Sequence, residues 1–574
     1  PVPYNALSQG HWAGLVAYAA APWLISGLCA LGGQAPYTFW HWDASWPRFL
    51  VLGLGLALAA SLAPALLLLV PVVGVALCVA SLLVGWRQGA GRLLVASLIV
   101  AGVAVVALAP WSFVALRSWS SLIGSQPGAV HPLGLTQLLR LQTGSYGGGI
   151  LGWALVVAAA IPMFIGRSWR LGWAARLWSV AAACMALAWA GSRGWIPAPP
   201  LEVLLAPAGA ALVLAVALGV SAVETDLSGY RFGWRQFAPP FGALAALAAT
   251  LPLVGWVGNG QWDMPPSGAE EAFAFPAASV AGDYRVLWMG SPGSLPLAPQ
   301  GSADGLSFAT SEDGLPAADQ LWAPRPTSLS FTVGRDLAWS EGNETTALGH
   351  LLAPDSVRYI VVRVGTGNAG ATAPMVAALD RQVDLVPVGL DPSYEVFSNS
   401  AWLPVFSVLS SNASAAQLAA AASGGGGWAS ASQLEQLDLS SAGALGVGTS
   451  GAGRFTVLIG PSADVLYGSV PPGSWRVTAN SNGLTAESVG GGATSWVLPV
   501  GRSTVAVART GAGGQHLADV GMILVWAFGL WAARWRIRAR SGGQFTMANL
   551  ELGSPGADVV EIDWSPVLDG QNVG

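Results

Sequence analysis

Long apolar runs separated by short arginine-bearing segments fill the first 257 residues, and one more such run lies near the C-terminus, at Leu517 to Ala533. A helix needs about 17–25 apolar residues to cross a bilayer core. Trp12 to Leu31, Leu93 to Leu116, Leu171 to Ala190 and Leu201 to Val223 have that length, and Ile150 to Ile165 and Phe241 to Val257 come close to it. Phe49 to Trp86 is too long for one straight helix and carries Pro64 and Pro71. It reads as two helices hinged near Pro64, with a helix plus a re-entrant half-helix as the alternative. The pattern predicts a polytopic α-helical membrane protein of about 8–9 spans.

Arginines give the expected orientation, because Lys and Arg beside a span stay cytoplasmic. Arg534, Arg536, Arg538 and Arg540 close the last run, which puts the C-terminus inside and residues 259–516 outside. Arg87 and Arg92, then Arg167, Arg170 and Arg176, then Arg231 and Arg235 mark further inner positions, with Arg117, Arg140 and Arg193 as outer exceptions. Residues 32–48 fall inside if Phe49 to Trp86 crosses twice and outside if it crosses once.

Residues 259–516 change character, with Gly, Ser, Pro and Ala abundant and carboxylates common. Strand-like runs recur at Tyr284 to Gly290, Val357 to Val364, "VDLVPVG", "YEVFSN", "RFTVLIG", "SWRVTAN" and "STVAVAR", and Ala373 to Gln382 has helical spacing. The predicted organisation is a transmembrane unit at 1–258, an extracytoplasmic α/β unit at 259–410 and a β-sandwich-like unit at 428–515. A final helix at 516–535 and a polar cytoplasmic tail at 536–574 follow, and "AASGGGGWAS" links the two outer units.

Composition sharpens this picture. Charged residues make up 10% of the 574, against about 25% in a soluble domain, and the mean hydropathy is +0.54. The formal charge is −5 and there is no Lys, so nothing suggests a nucleic-acid partner. Absence of Lys beside abundant Ala, Gly, Val and Leu fits a GC-rich bacterial coding bias, hence a bacterial plasma membrane. Cys29, Cys78 and Cys184 all lie in apolar runs, leaving the outer block without a disulfide. Pro1 in place of an initiator Met reads as a fragment or a processed chain.

Candidate chemistry is sparse. Asp43 sits among Trp40, His41, Trp42 and Trp46. A carboxylate beside aromatic faces suits a sugar, whose C–H face stacks while its hydroxyls need acceptors; tryptophans anchoring a helix end at the interface are the alternative. Glu202 opens a helix on the outer side, where it serves either as a catalytic carboxylate or as a partner for the positive end of the helix dipole. Glu224 and Asp226 share an arginine-bearing inner loop and read as solvated. The five histidines, His11, His41, His131, His350 and His516, show no metal-ligand spacing. No GxxxxGK[ST], GxSxG, HExxH or strand-linked DxD motif is present, so the chain itself implies neither cofactor nor metal.

Several segments resemble the membrane-embedded C-terminal portion of large actinobacterial family 2 glycosyltransferases: Pro3 to Trp23, "GWRQ" at Gly233 to Gln236, Tyr284 to Leu297, "VRYIVV", "LDRQVDLVPV" and Phe397 to Pro404. In that family a cytoplasmic nucleotide-sugar domain precedes the membrane part, and a divalent metal would belong to that domain. The outer α/β piece with "YIVV" also looks like outer domains of C-type glycosyltransferases, which use polyprenyl-phosphate sugars and carry an acidic residue in their first external loop. The resemblance implies a cell-envelope glycosyltransferase portion whose partners are the lipid bilayer and a polyprenyl-linked sugar or wall glycan. Asp43 matches the acidic position loosely. A C-type transferase in its own right and a non-catalytic glycan-binding membrane protein are the alternatives.

Overall fold

The computed structural model describes residues 2–8, 11–33, 46–85, 89–109, 111–116, 133–144, 148–226, 238–259, 283–290, 295, 297, 299–303, 306–312, 327–364, 369–388, 394–409, 443–444, 452–459, 465–490, 492–510 and 512–541. Helices come first: α1 (Val2–Ser8), α2 (Trp12–Leu31), α3 (Trp46–Leu62), α4 (Leu66–Leu83), α5 (Ala90–Ala107), α6 (Trp111–Leu116), α7 (Leu135–Leu139), α8 (Ala154–Ile165), α9 (Ser168–Ser192), α10 (Leu201–Asp226) and α11 (Ala238–Asn259).

Among the described residues five helices are long and apolar enough to cross a membrane: α2, α4, α5, α9 from Trp169, and α10 to Val223. The expected 8–9 spans are not borne out by length and composition, which support these five among the described residues. Trp46–Leu62, Leu151–Ile165, Pro240–Leu251 and Leu517–Ala532 are apolar stretches of 10–17 residues. The run from Phe49 to Trp86 does split at Pro64, between the end of α3 and the start of α4.

Close helix approaches fix which ends lie together. A Cβ at Gly27 in α2 would lie 2.7 Å from Leu52 Cδ1 in α3, and one at Gly32 would meet Leu93 in α5. The C-terminal end of α2 therefore adjoins the starts of α3 and α5. Arg170 Nε donates to Ser221 Oγ at 3.3 Å, and Arg176 Nε donates to Ser81 Oγ at 2.8 Å. The start of α9 and the ends of α10 and α4 thus share that end of the bundle. The opposite end gathers the starts of α2, α8 and α10 and the end of α9. Small residues are what allow such approach where lipid supplies no hydrophobic drive between helices.

Three sheets follow. Strands β1 (Arg285–Gly290), β2 (Gly301–Ala303), β3 (Leu306–Glu312), β4 (Val357–Arg363), β5 (Leu385–Pro387) and β6 (Tyr394–Asn399) form one sheet in the order β2-β3-β1-β4-β6-β5. β1 and β4 are parallel, joined through α12 (Ser328–Glu341) and α13 (Leu348–Leu352). β4 continues through α14 (Ala369–Asp380) to β5, with β6 inserted antiparallel to both. One face of the sheet buries Leu287, Phe308, Ile360 and Phe397 against Val333, Leu337, Leu352 and Leu379 of the helices. The helix α12 starts at a reciprocal cap: Thr327 Oγ1 accepts from Ser330 N, and Ser330 Oγ accepts from Thr327 N.

The second and third sheets hold β7 (Phe406–Leu409), β8 (Gly443–Ala444), β9 (Ala452–Ile459), β10 (Val465–Gly468), β11 (Trp475–Ala479), β12 (Asn482–Gly483), β13 (Glu487–Gly490), β14 (Ala493–Val497) and β15 (Gly501–Arg509). Their orders are β13-β14-β10-β7-β8 and β12-β11-β15-β9. Phe406, Leu466 and Trp496 of the first pack on Val477, Val505 and Val507 of the second. The chain then enters α15 (Ala512–Ser541), whose Trp526 Nε1 donates to Ala107 O at the end of α5, 3.0 Å away. Gly529 of α15 lies against Leu54, further from that end of the bundle. α15 therefore runs toward the end that holds Arg170 and Arg176.

The segments "LDRQVDLVPV" and "FSNSAWLP" serve this scaffold. Gln382 Oε1 accepts from Leu348 N, and its Nε2 donates to Ser340 Oγ and Ala378 O. Asp384 Oδ2 accepts from His350 N, and Asn399 Nδ2 donates to Gly349 O and Val357 O. Together these bonds tie α13 to the sheet. A Cβ at Gly349 would meet Asn399 Oδ1 and lie 2.8 Å from Asp384 Cγ. Both side chains are pinned, so neither gives way cheaply. Gly349→Ala is expected to destabilise this part by about 1–3 kcal/mol, read as earlier thermal unfolding and faster proteolysis of the detergent-solubilised chain. Unchanged melting would remove the stitching role.

Candidate functional site

Where α1, α2 and α10 meet, a carboxylate and an imidazole are buried together. His11 precedes the first residue of α2; its backbone N donates to Ala6 O at 2.8 Å, and its carbonyl accepts from Gly14 N at 3.1 Å. Those bonds fix the entry of α2 against α1. Glu202 stands in the first turn of α10, whose start is set by Pro200 accepting from Val203 N and Leu204 N. A Cβ at Gly14 would lie 2.6 Å from Glu202 Cβ, so glycine is what lets the two helix starts touch. His11 Nδ1 then lies 3.4 Å from Glu202 Oε2, with 12% and 6% of the respective side chains exposed.

Chemically this is an oriented imidazole. Its Nδ1 faces the Glu202 carboxylate, whose charge favours the imidazolium over the neutral ring. Removing one member of such a buried pair typically costs about 3–5 kcal/mol, because the other is left uncompensated. Glu202 also lies at the positive end of the α10 dipole. Capping and pairing are thus combined in one side chain.

The segment after α7 covers the pair. Leu141, at φ 54°, buries its side chain against Gly209 of α10, and Thr143 lies beside the Glu202 carboxylate. Arg140 lies over the Trp153 ring at 5.1 Å, and Arg193 over Trp189 at 4.2 Å and Trp195 at 5.9 Å. Two of the three arginines that broke the charge rule therefore rest on indole faces at this one end.

Trp40, His41, Trp42 and Asp43 lie outside the described residues. Trp46 is the first residue of α3 and 38% exposed. It belongs to the opposite end of the bundle, since α2 rises about 30 Å over 20 residues between His11 and the start of α3. Glu202 and Trp46 are not brought together. Arg176, read from sequence as an inner-face marker, is instead wholly buried against Ser81, with its guanidinium 4.6 Å from the Trp173 ring centroid. His11, Gly14 and Thr143 were missed by sequence reasoning. A histidine and a glutamate each heading an apolar run were the only visible signal, and 191 positions separate them. Among the described residues no group of three or more His, Cys, Asp or Glu could hold a metal ion.

No family model matches the chain, and no curated protein matches it. A solved structure of a mutant arabinofuranosyltransferase AftD from Mycobacteria aligns with 12% identity and a TM-score of 0.35, covering 89% of this chain and 50% of that one. The chain spans about half the length of that protein. At that similarity the alignment bears on neither the activity nor the site.

Proposed function

We propose that the chain is the membrane and extracytoplasmic portion of a cell-envelope glycosyltransferase acting in lipid-linked glycan or wall polysaccharide synthesis. The observation that carries this reading is the Glu202–His11 pair, buried where α1, α2 and α10 meet. In the reaction, the His11 imidazole takes the proton of an acceptor hydroxyl while the Glu202 charge stabilises the imidazolium. The acceptor oxygen forms its bond to the sugar C1, and polyprenyl phosphate leaves with the electron pair of the broken C1–O bond. The bilayer supplies the lipid-linked donor.

The Glu202 end of the bundle is the extracytoplasmic one in this reading. Support comes from Arg167, Arg170 and the start of α9 at the other end, toward which α15 carries Arg534 to Arg540. Residues 1–258 then form the membrane unit, 259–410 and 428–515 the outer units, 516–535 the last crossing and 536–574 the cytoplasmic tail. The test is transfer from a radiolabelled polyprenyl-phosphate sugar to endogenous glycan in membranes containing the full chain. His11→Ala is expected to reduce transfer at least about 100-fold. Undiminished transfer in that variant would remove the pair from the chemistry, and no transfer by the unaltered protein would remove the reading.

A further inference from the structure

A second site lies on the face of the six-stranded sheet turned away from its helices. β4 holds one residue too many against β1: Arg285 pairs with Val357 and Val286 with Tyr359, so Arg358 is left out of the ladder. Such a bulge re-aims a side chain that regular pleating would place elsewhere. The residue two before it, Ser356, has φ 61°, so the strand enters the sheet through a second departure from regular backbone. The result is a guanidinium set among three rings, 4.7 Å from the Trp402 centroid, 5.2 Å from Tyr359 and 5.4 Å from Tyr284. Tyr284 stands edge-on to both other rings, at 79° in each case.

This arrangement holds the cation in place without neutralising it. Tyr284 and Tyr359 are buried, while Trp402 and Arg358 itself are half-buried. Arg358 Nη1 is buried and has no hydrogen-bond partner among the described residues, and no carboxylate among them pairs with it. A pre-oriented guanidinium fork with donors to spare recognises one carboxylate or phosphate. An indole face beside it recognises an apolar ring surface. A chain with net charge −5 and no Lys offers nothing like the many phosphate contacts a nucleic acid needs. One anionic group per stacked ring is the chemistry of an acidic sugar unit.

We propose that Arg358 and Trp402 form a subsite for an acidic glycan. The carboxylate or phosphate of one sugar unit bonds to Arg358, and the C–H face of that unit stacks on Trp402. The subsite is independent of the His11–Glu202 reading, and a binding protein without transferase activity would use it equally.

The test is calorimetric titration of the detergent-solubilised full chain with a glucuronate-containing disaccharide, glucose 1-phosphate, cellobiose and inorganic phosphate. The disaccharide or the sugar phosphate is expected to bind, and which of them binds identifies the anionic group; cellobiose is not. Arg358→Gln and Trp402→Leu are each expected to weaken binding at least about tenfold. Arg358→Lys should recover part of it, which loss of fold in the Gln variant would not allow. Glu202→Gln should leave binding unchanged, which separates failure of this site from failure of the transferase reading. Binding unaltered in Arg358→Gln, equal binding of cellobiose, inorganic phosphate binding as tightly as the sugars, or no binding of either anionic sugar overturns the proposal.

Discussion

Glu202→Gln is expected to lower the transfer rate about 10²–10⁴-fold while leaving the apparent KM for the lipid-linked sugar within a few-fold. The substitution preserves size and shape beside Gly14, where there is no room for rearrangement. What it removes is the charge, 3.4 Å from His11 Nδ1, that stabilises the imidazolium. Replacing the carboxylate behind a catalytic imidazole by its amide costs on this scale, about 3–5 kcal/mol of transition-state stabilisation. Glu202→Ala would instead leave His11 without its buried partner and is expected to lower the melting temperature as well. The pair of variants separates the two roles: Gln retains the fold and loses rate, whereas Ala loses both. A Gln variant with wild-type turnover and wild-type melting would leave Glu202 as a helix-dipole partner only.

The parts legible in sequence were those governed by local periodicity. The seven strand-like runs correspond to β1, β4, β5, β6, β9, β11 and β15, because alternation and β-branched residues are short-range signals. Gly301–Ala303 and Leu306–Glu312 escaped notice because small polar residues dilute the apolar positions there, although β3 is buried over six of its seven residues. The helix Ser328–Glu341 carried a readable start, Thr327 with Ser330, but its interior holds Gly334 and Thr332 and few strong helix formers. The span count of 8–9 finds support for five helices among the described residues, since hydropathy marks that a run is apolar more surely than whether it reaches across a bilayer.

The site was less legible for a different reason. Glu202 was visible as a first-turn acid, but its partner is fixed by Gly14 and by the hydrogen bond from His11 N to Ala6 O, neither of which leaves a pattern at any fixed spacing. Arg358 likewise reads in sequence as one more polar position in "VRYIVVRV". Only the ladder register shows that it is the residue left over.

A comparable pairing in the outer part gives the second large effect. Asp336 in α12 is fully buried, and Arg335 Nε donates to its Oδ1 at 2.7 Å. Burial pushes its carboxyl up to about 8; Arg335 opposes the shift and Asp355 adds to it. Asp355 is raised in the same direction, to about 6, mainly by burial, with the Thr332 hydroxyl donating to Oδ2 at 2.9 Å. Nearby, Arg285 donates to Asp355 O at 2.8 Å and to Ser469 Oγ at 2.7 Å, and Tyr467 OH donates to Pro354 O. The cluster therefore joins the six-stranded sheet to the five-stranded one through Tyr467 and Ser469.

For a carboxyl raised in the folded state the sign is fixed. The unfolded chain gives up the proton near pH 4 and the folded chain near pH 8, so stability is full below pH 4 and falls as pH rises through 8. Asp355 adds a smaller fall that is complete by about pH 6. Asp336→Asn keeps the shape and the acceptor for Arg335 while removing the titration. Arg335 stays partly solvated at 19% side-chain exposure and rests on Trp339, 4.6 Å away, so it tolerates the lost charge. The variant is expected to match wild type near pH 4 and to exceed it by about 2–5 kcal/mol at pH 8. Thermal unfolding of the solubilised chain between pH 4 and 8 measures the difference. Wild-type and variant curves that stay parallel over that range would mean that Asp336 is already ionised in the folded protein, held by Arg335 against the cost of burial.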